Sequence, residues 1–128
     1  MVISMKTRRV DHHVLEICDD DNTVVFSIAE EMKSENTMRI QLAGEITNDV
    51  AHEFEDEVMA ALSVCPKIEL DFAKVIYIAS MALKALLSIQ QIMDEMENSQ
   101  MVLTHVPQKV MDILKETGFC DILWIEEE

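Results

Sequence analysis

The hydroxyl of Ser80 stands where a strand pattern gives way to a helix pattern: the apolar run Val75–Ile78 precedes it and an amphipathic stripe follows. At such a junction a serine can cap the helix by accepting a hydrogen bond from a backbone N–H two or three residues on. Ala79 cannot share that task, so Ser80→Ala is expected to cost ~1 kcal/mol of stability. The same geometry suits a phosphate, because the first N–H groups of a helix are unpaired and carry positive potential. Phosphorylation would add ~1.5–2 negative charges. A partner packed over the site would then have to desolvate that charge or face it with acid, at a cost on the order of several kcal/mol, enough to break a micromolar complex. Lys84 lies one turn further on, where a cation opposes the helix dipole unless an anion sits nearby. Ser80 is therefore read as a cap at a place where a phosphate would also be tolerated, and the two roles are compatible.

Other residues of the right types are less well placed for chemistry. Asp19-Asp20-Asp21 after a strand, with Asp71 near the end of another, could serve a receiver-type phosphotransfer domain, with Asp71 as acceptor and magnesium held by the acidic cluster. A receiver needs a helix straight after its acidic pair, whereas Thr23–Ile28 reads as a strand. Asp11-His12-His13 and the same aspartates are suitable metal-ligand types, but their spacing matches no ligand loop and they read as solvated. Cys65 sits at a helix end, where the dipole raises a thiol pKa, and Cys18 and Cys120 are followed by Asp19 and Asp121. None of the three reads as a nucleophile. With two glycines in the chain there is no GxGxxG or Walker loop. No catalytic residue, metal site or cofactor is expected.

The elements that must position Ser80 follow from periodicity. Met1–Arg9 is short, polar and basic and is expected to be poorly ordered. Val14–Cys18 reads as a short strand, Asp19–Asn22 as a turn, and Thr23–Ile28, running on toward Lys33, as a β-branched and aromatic strand. Thr37–Ile46 alternates, with Met38, Ile40 and Leu42 on one face and Arg39 and Gln41 on the other, the mark of a strand with one dry face. Val50, Phe54, Val58, Ala61, Leu62 and Cys65 then recur at helical steps, with Thr47 or Asn48 as the cap and Pro66 as the stop. Lys67–Phe72 is a strand, followed by the apolar run Val75–Ile78. A second helix spans about Ser80–Glu97, its stripe running from Ala82 to Met96. Met101–Val106 is a strand, Pro107 opens a third helix, Gly118 closes it, and Ile122–Ile125 is a last strand before an acidic tail.

Strands alternating with helices give an α/β domain: a mixed central sheet, mostly parallel after an opening hairpin, covered by helices. Residues 1–23 read as an N-terminal extension carrying one short strand, and residues 24–128 as the domain. The length of 128 residues suits one domain, and a 49% apolar fraction suits a globular one. Ten basic and 25 acidic residues leave a net charge of −15. That charge makes direct contact with nucleic acid or an anionic membrane unfavourable. The first helix carries Asp49, Glu53, Glu55, Asp56 and Glu57, a solvated face or a surface for a basic partner groove. Three cysteines without metal spacing fit a reducing compartment. Met1–Val10 has no apolar run after its basic residues and does not read as a secretion signal. Val75–Ile89 contains Lys84 and is shorter than the ~18–20 residues of a membrane span.

Three stretches in order resemble the STAS domain family, and within it the bacterial anti-sigma-factor antagonists. They are Gly44-Glu45-Ile46-Thr47, Leu70 to Leu83, and Val106 to Phe119, and the similarity covers about Val24 to Ile125. The resemblance implies a STAS-like fold and a non-catalytic partner-switching module in transcription regulation, located in the bacterial cytoplasm. Its partner would be an anti-sigma factor or serine protein kinase, and the chain itself a monomer or weak homodimer. The family's acceptor serine lies in an Asp-Ser-Ser-Gly-Leu stretch, here Ala79-Ser80-Met81-Ala82-Leu83, so the resemblance places phosphorylation on Ser80. The aspartate of the stretch has become Ala79, the second serine Met81 and the glycine Ala82. The earlier Gly-Glu-Leu-Asp pattern has likewise lost its aspartate to Thr47. Partner binding is assigned to Glu45, Thr47, Asn48, Asp49, Ser80, Met81 and Lys84. The alternatives are a constitutive binder on the same fold without the phosphoswitch, and the receiver-type domain with Asp71 as acceptor.

Overall fold

A computed structural model describes residues 5–126 of the chain. Its elements in chain order are β1 (Lys6–Asp11), β2 (Val14–Cys18), β3 (Val24–Met32), β4 (Thr37–Ile46), α1 (Ala51–Leu62), β5 (Lys67–Ile78), α2 (Ser80–Asp94), β6 (Gln100–Thr104), α3 (Gln108–Glu116) and β7 (Trp124–Ile125), with a 3-10 turn over Phe119–Asp121. The seven strands form one sheet whose spatial order equals their chain order. Pairings from β1 to β4 are antiparallel, and those from β4 to β7 are parallel. The mixed α/β fold is as expected, with the antiparallel part grown from a hairpin into a four-strand meander.

Each parallel strand lies one place further in the same direction. Right-handed crossovers then put all three helices on one face of the sheet. That face is dry because side chains alternate along a strand. Met38 and Ile40 of β4 stand in register with Ile68 and Leu70 of β5 and with Met101 and Leu103 of β6, and Leu42 follows on the same face. They join Leu15 and Ile17 of β2 and Phe26 and Ile28 of β3 in a single buried cluster. The helices close it with Phe54 and Val58 from α1, Leu86 and Ile89 from α2, and Val110 and Leu114 from α3. Phe26 meets Phe54 edge to face, with centroids 6.4 Å apart. The sheet's other face carries Arg39, Gln41 and Glu69 and stays partly exposed.

Several expectations need correction. Lys6–Arg9 is not poorly ordered: it lies in edge strand β1, paired with β2, while Met1–Ser4 of the same segment lie outside the described residues. β2 in turn pairs with β3 and sends Leu15 and Ile17 into the common core, so the sheet runs continuously across position 23. The second helix stops at Asp94, three residues early; Met96 lies beyond its end and Ile92 within it, and both are exposed. The last strand shrinks to Trp124–Ile125, because Phe119–Asp121 turns after Gly118, whose φ of 80° ends α3. The tail's Glu127 and Glu128 lie outside the described residues.

Two ion clusters brace the sheet. On the helical face, Arg9 of β1 reaches Glu57 of α1 at 2.6 Å. Glu30 stands beside them, and burial, reinforced by the neighbouring Glu57, raises its carboxyl above the ordinary range. On the open face, Lys33 and Arg39 both pair with Glu69, at 3.1 and 2.5 Å. Burial pushes the Glu69 carboxyl up, but hydrogen bonds from Arg39 and Lys33 outweigh it and hold the group below the ordinary carboxylate value.

Candidate partner-docking site

The parallel strands β4 and β5 end side by side, and each hands over to a helix at the same edge. Ile46 and Ile78 are in register, and both are fully buried. Approach to this edge is tight at Gly44, where φ is +108° and a Cβ would lie 2.3 Å from the carbonyl oxygen of Val25. Only glycine fits there. Beyond the strand ends the backbones stay joined, as the Ala79 N–H donates to the Ile46 carbonyl at 2.9 Å. The turn from Thr47 to Val50 is closed by the Val50 N–H donating to the Thr47 carbonyl, 3.2 Å away.

Ser80 is exposed at the tip of α2, but it is the first helical residue and not the cap. The capping position belongs to Ala79, which has extended backbone and no side-chain acceptor. The side chain that serves the helix end comes from the other loop: Asn48 Oδ1 accepts the Met81 N–H at 3.1 Å. This corrects two expectations together. Asn48 caps α2 and not α1, whose capping position is Val50 without a side-chain bond, and Thr47 caps neither helix. Thr47 Oγ1 is buried with no hydrogen-bond partner among the described residues. The physical reason is reach. α1 begins at Ala51, so Thr47 and Asn48 lie too far upstream to cap it, while the joined backbones carry Asn48 to α2.

The residues assigned to partner binding lie on these two adjoining loops. Glu45, Asn48, Asp49, Ser80, Met81 and Lys84 are exposed, and Thr47 is half-buried. The sequence reading named Met81 but missed the two apolar residues beside it, Ile76 and Tyr77. Ile76 is 58% exposed, Tyr77 41% and Met81 52%. Tyr77 pairs with Glu45 in the strand register. Val75–Ile78 is an unbroken apolar run, but a shift of register at Gly44/Glu45 turns two of its four side chains outward. A signal was present in Tyr77, since a phenol end favours a wet edge. From Met81 a groove of about 290 Å³ continues between α1 and α2, past Lys84, Ala85, Ala51, His52 and Glu55.

The competing constellations are not assembled. Asp71 is buried, accepts the Ala73 N–H at 2.9 Å and lies 3.4 Å from His105 Nδ1. It is in register with Gln41 and, one strand further, Ala29, whereas the Asp19–Asp21 turn lies beyond Val24. At ~3.3 Å per residue and ~4.8 Å per strand the acids are roughly 20 Å apart, so no receiver pocket forms. Asp19 spends its carboxylate within its own turn, accepting the N–H groups of Asp21 and Thr23. Asp11 likewise accepts the His13 N–H, at the opposite end of β2. The described residues hold no group of three His, Cys, Asp or Glu side chains suited to a metal ion. Cys18 and Cys65 are buried and Cys120 half-buried, all as free thiols.

Residues 29–124 match the family model described as "Mlab, STAS domain". No curated protein sequence matches the chain significantly. Among solved structures it resembles the anti-sigma factor antagonist SpoIIAA in its unphosphorylated form, at 16% identity and a TM-score of 0.66 over 79% of this chain and 89% of that one. The Bacillus cell fate determinant SpoIIAA in its phosphorylated form gives 14% and 0.60 over 79% and 92%. An anti-sigma factor antagonist from Mycobacterium paratuberculosis gives 16% and 0.68 over 80% and 86%. At these identities the likeness is one of fold.

Proposed function

We propose that this chain, which belongs to the STAS domain family, is a non-catalytic protein-binding module of the anti-sigma-factor-antagonist kind. Its partner is an anti-sigma factor or a serine protein kinase, docked on Glu45, Thr47, Asn48, Asp49, Ser80, Met81 and Lys84. The observation that carries this reading is the joining of two loops into one exposed surface, through Ala79 to Ile46 and Met81 to Asn48. Such a surface has an apolar centre, Ile76, Tyr77 and Met81, and an acidic flank, Glu45 and Asp49. That arrangement suits a partner with an apolar anchor and a basic rim.

Phosphorylation of Ser80 would switch the module off. The hydroxyl is exposed and makes no cap bond that a phosphate would have to break. New charge in the middle of an apolar patch would have to be desolvated on docking. A second reading, constitutive binding without the switch, is favoured by Met81, which puts an adaptable apolar side chain beside Ser80 where the family stretch has a second serine. The chain would work in the bacterial cytoplasm as a monomer or weak homodimer, in transcription regulation and without touching nucleic acid. No helix among the described residues is long and apolar enough to cross a membrane.

The test is incubation with ATP and a serine-kinase anti-sigma factor from the same genome, read by intact mass and by titration. One added phosphate in the parent chain, none in Ser80→Ala, and loss of binding on phosphorylation are expected. Binding without phosphate transfer would leave the constitutive reading, and no binding at all would remove both.

A further inference from the structure

The Asn48–Met81 hydrogen bond has an unusual position. It supplies the cap of one helix from the turn that leads into another, 33 residues away in sequence. Among the described residues it is the side-chain hydrogen bond that joins this turn to α2. Resting on the docking surface proposed above, we infer that Asn48 is a latch between its two loops, and that a phosphate on Ser80 opens the latch by taking the Met81 N–H for itself.

The chemistry of competition follows from the atoms present. A helix start offers a small set of N–H groups. Leu83 already donates to the Ala79 carbonyl and Met81 to Asn48. A phosphate on the first helical residue brings three strong acceptor oxygens to the same spot and is held against it covalently. Its charge-assisted bonds are roughly twice as strong as the neutral amide's. Electrostatics act in the same direction, since the turn bearing Asn48 also carries Glu45 and Asp49. A dianion at Ser80 repels those carboxylates, while Lys84, one turn along α2, attracts it. The phosphate therefore stabilises α2 and loosens the turn. What the partner meets after modification is an altered pair of loops as well as a new charge. Asn48 is a positioning residue in this account, acting through the backbone of α2.

The latch is tested on the free chain, without any partner, by amide hydrogen exchange and NMR. The samples are the parent chain, Asn48→Ala, Asn48→Asp and a chain carrying phosphoserine introduced at position 80 during synthesis. In Asn48→Ala the Met81 N–H should exchange about fivefold faster, the factor that a cap of ~1 kcal/mol represents. Asn48→Asp keeps an acceptor oxygen and should keep the protection, which separates a lost cap from a disturbed fold. With phosphoserine the Met81 N–H should stay protected and shift downfield. The Asn48 side-chain amide should move to its solvent position, and the Val50 N–H should exchange faster. Equal Met81 exchange in the parent chain and Asn48→Ala overturns the latch. An Asn48 amide and a Val50 N–H unmoved by phosphoserine overturn the release. These readouts are independent of docking: a latch that opens in a chain that binds no anti-sigma factor would refute the proposed function alone.

Discussion

A hydroxyl at the first residue of α2 makes no cap hydrogen bond, so removing it leaves the helix end as it was. Ser80→Ala is therefore expected to change unfolding free energy by less than ~0.5 kcal/mol, against the ~1 kcal/mol that a capping serine would cost. The larger loss moves to Asn48→Ala, expected at about 1 kcal/mol. Urea unfolding of the two variants beside the parent chain checks the ordering. The sequence reading took Ser80 as the cap, whereas the structure makes it the first helical residue, one place inside the cap. Asn48's role was not legible, because it depends on a contact between loops 33 residues apart. Gly44 sits at the other extreme. Its φ of +108° and the 2.3 Å approach to the Val25 carbonyl leave no room for a side chain. Gly44→Ala should cost about 3 kcal/mol or more and lower the thermal midpoint accordingly. Conversely, Ile76 and Tyr77 belong to an apolar run and yet are exposed; a register shift between two strands cannot be seen in either strand alone.

Among elements, β4, β5 and the turn that follows β3 are stapled on the open face by Arg39, Glu69 and Lys33. The folded protein holds the Glu69 carboxyl below its ordinary value of about 4.5. The unfolded chain thus binds the proton more readily, and stability supplied by this group is complete above the ordinary value and lost as pH falls through the depressed one. Glu69→Gln should lose about 1 kcal/mol at pH 7, and its stability should decline less on acidification, as read by urea midpoints across the acid range. The periodic elements were legible where one face is dry: β4, α1, and the first three turns of α2. The failures lie at ends. α2 stops at Asp94 although apolar spacing continues to Met96, and β7 keeps two of four expected residues. β1 was missed because all six of its side chains are exposed. An edge strand with both faces wet carries no alternation to read, and its basic residues are themselves a common edge defence.

For the whole molecule, the net charge of −15 sets how partners arrive. If the acidic flank beside Ser80 meets a basic rim, the association rate with the proposed anti-sigma-factor partner should fall several-fold as salt rises from low to physiological strength, while dissociation changes little. Stopped-flow mixing at several salt concentrations measures this; a salt-independent on-rate would leave the apolar centre as the sole attraction. The sequence by itself determined the α/β class, the run of alternating strands and helices, and the end of the sheet where docking is proposed. These are properties of local period and of single-residue sterics, which neighbours in the chain suffice to specify. The tertiary structure decided that β1 joins the sheet as its exposed edge and β2 joins both sheet and core, that Asp71 stands far from the acidic turn, and that Asn48 caps a helix other than its own. It also turned Ile76 and Tyr77 outward. Each of these depends on register or on the meeting of distant segments, and those are set by how the whole sheet buries its apolar face.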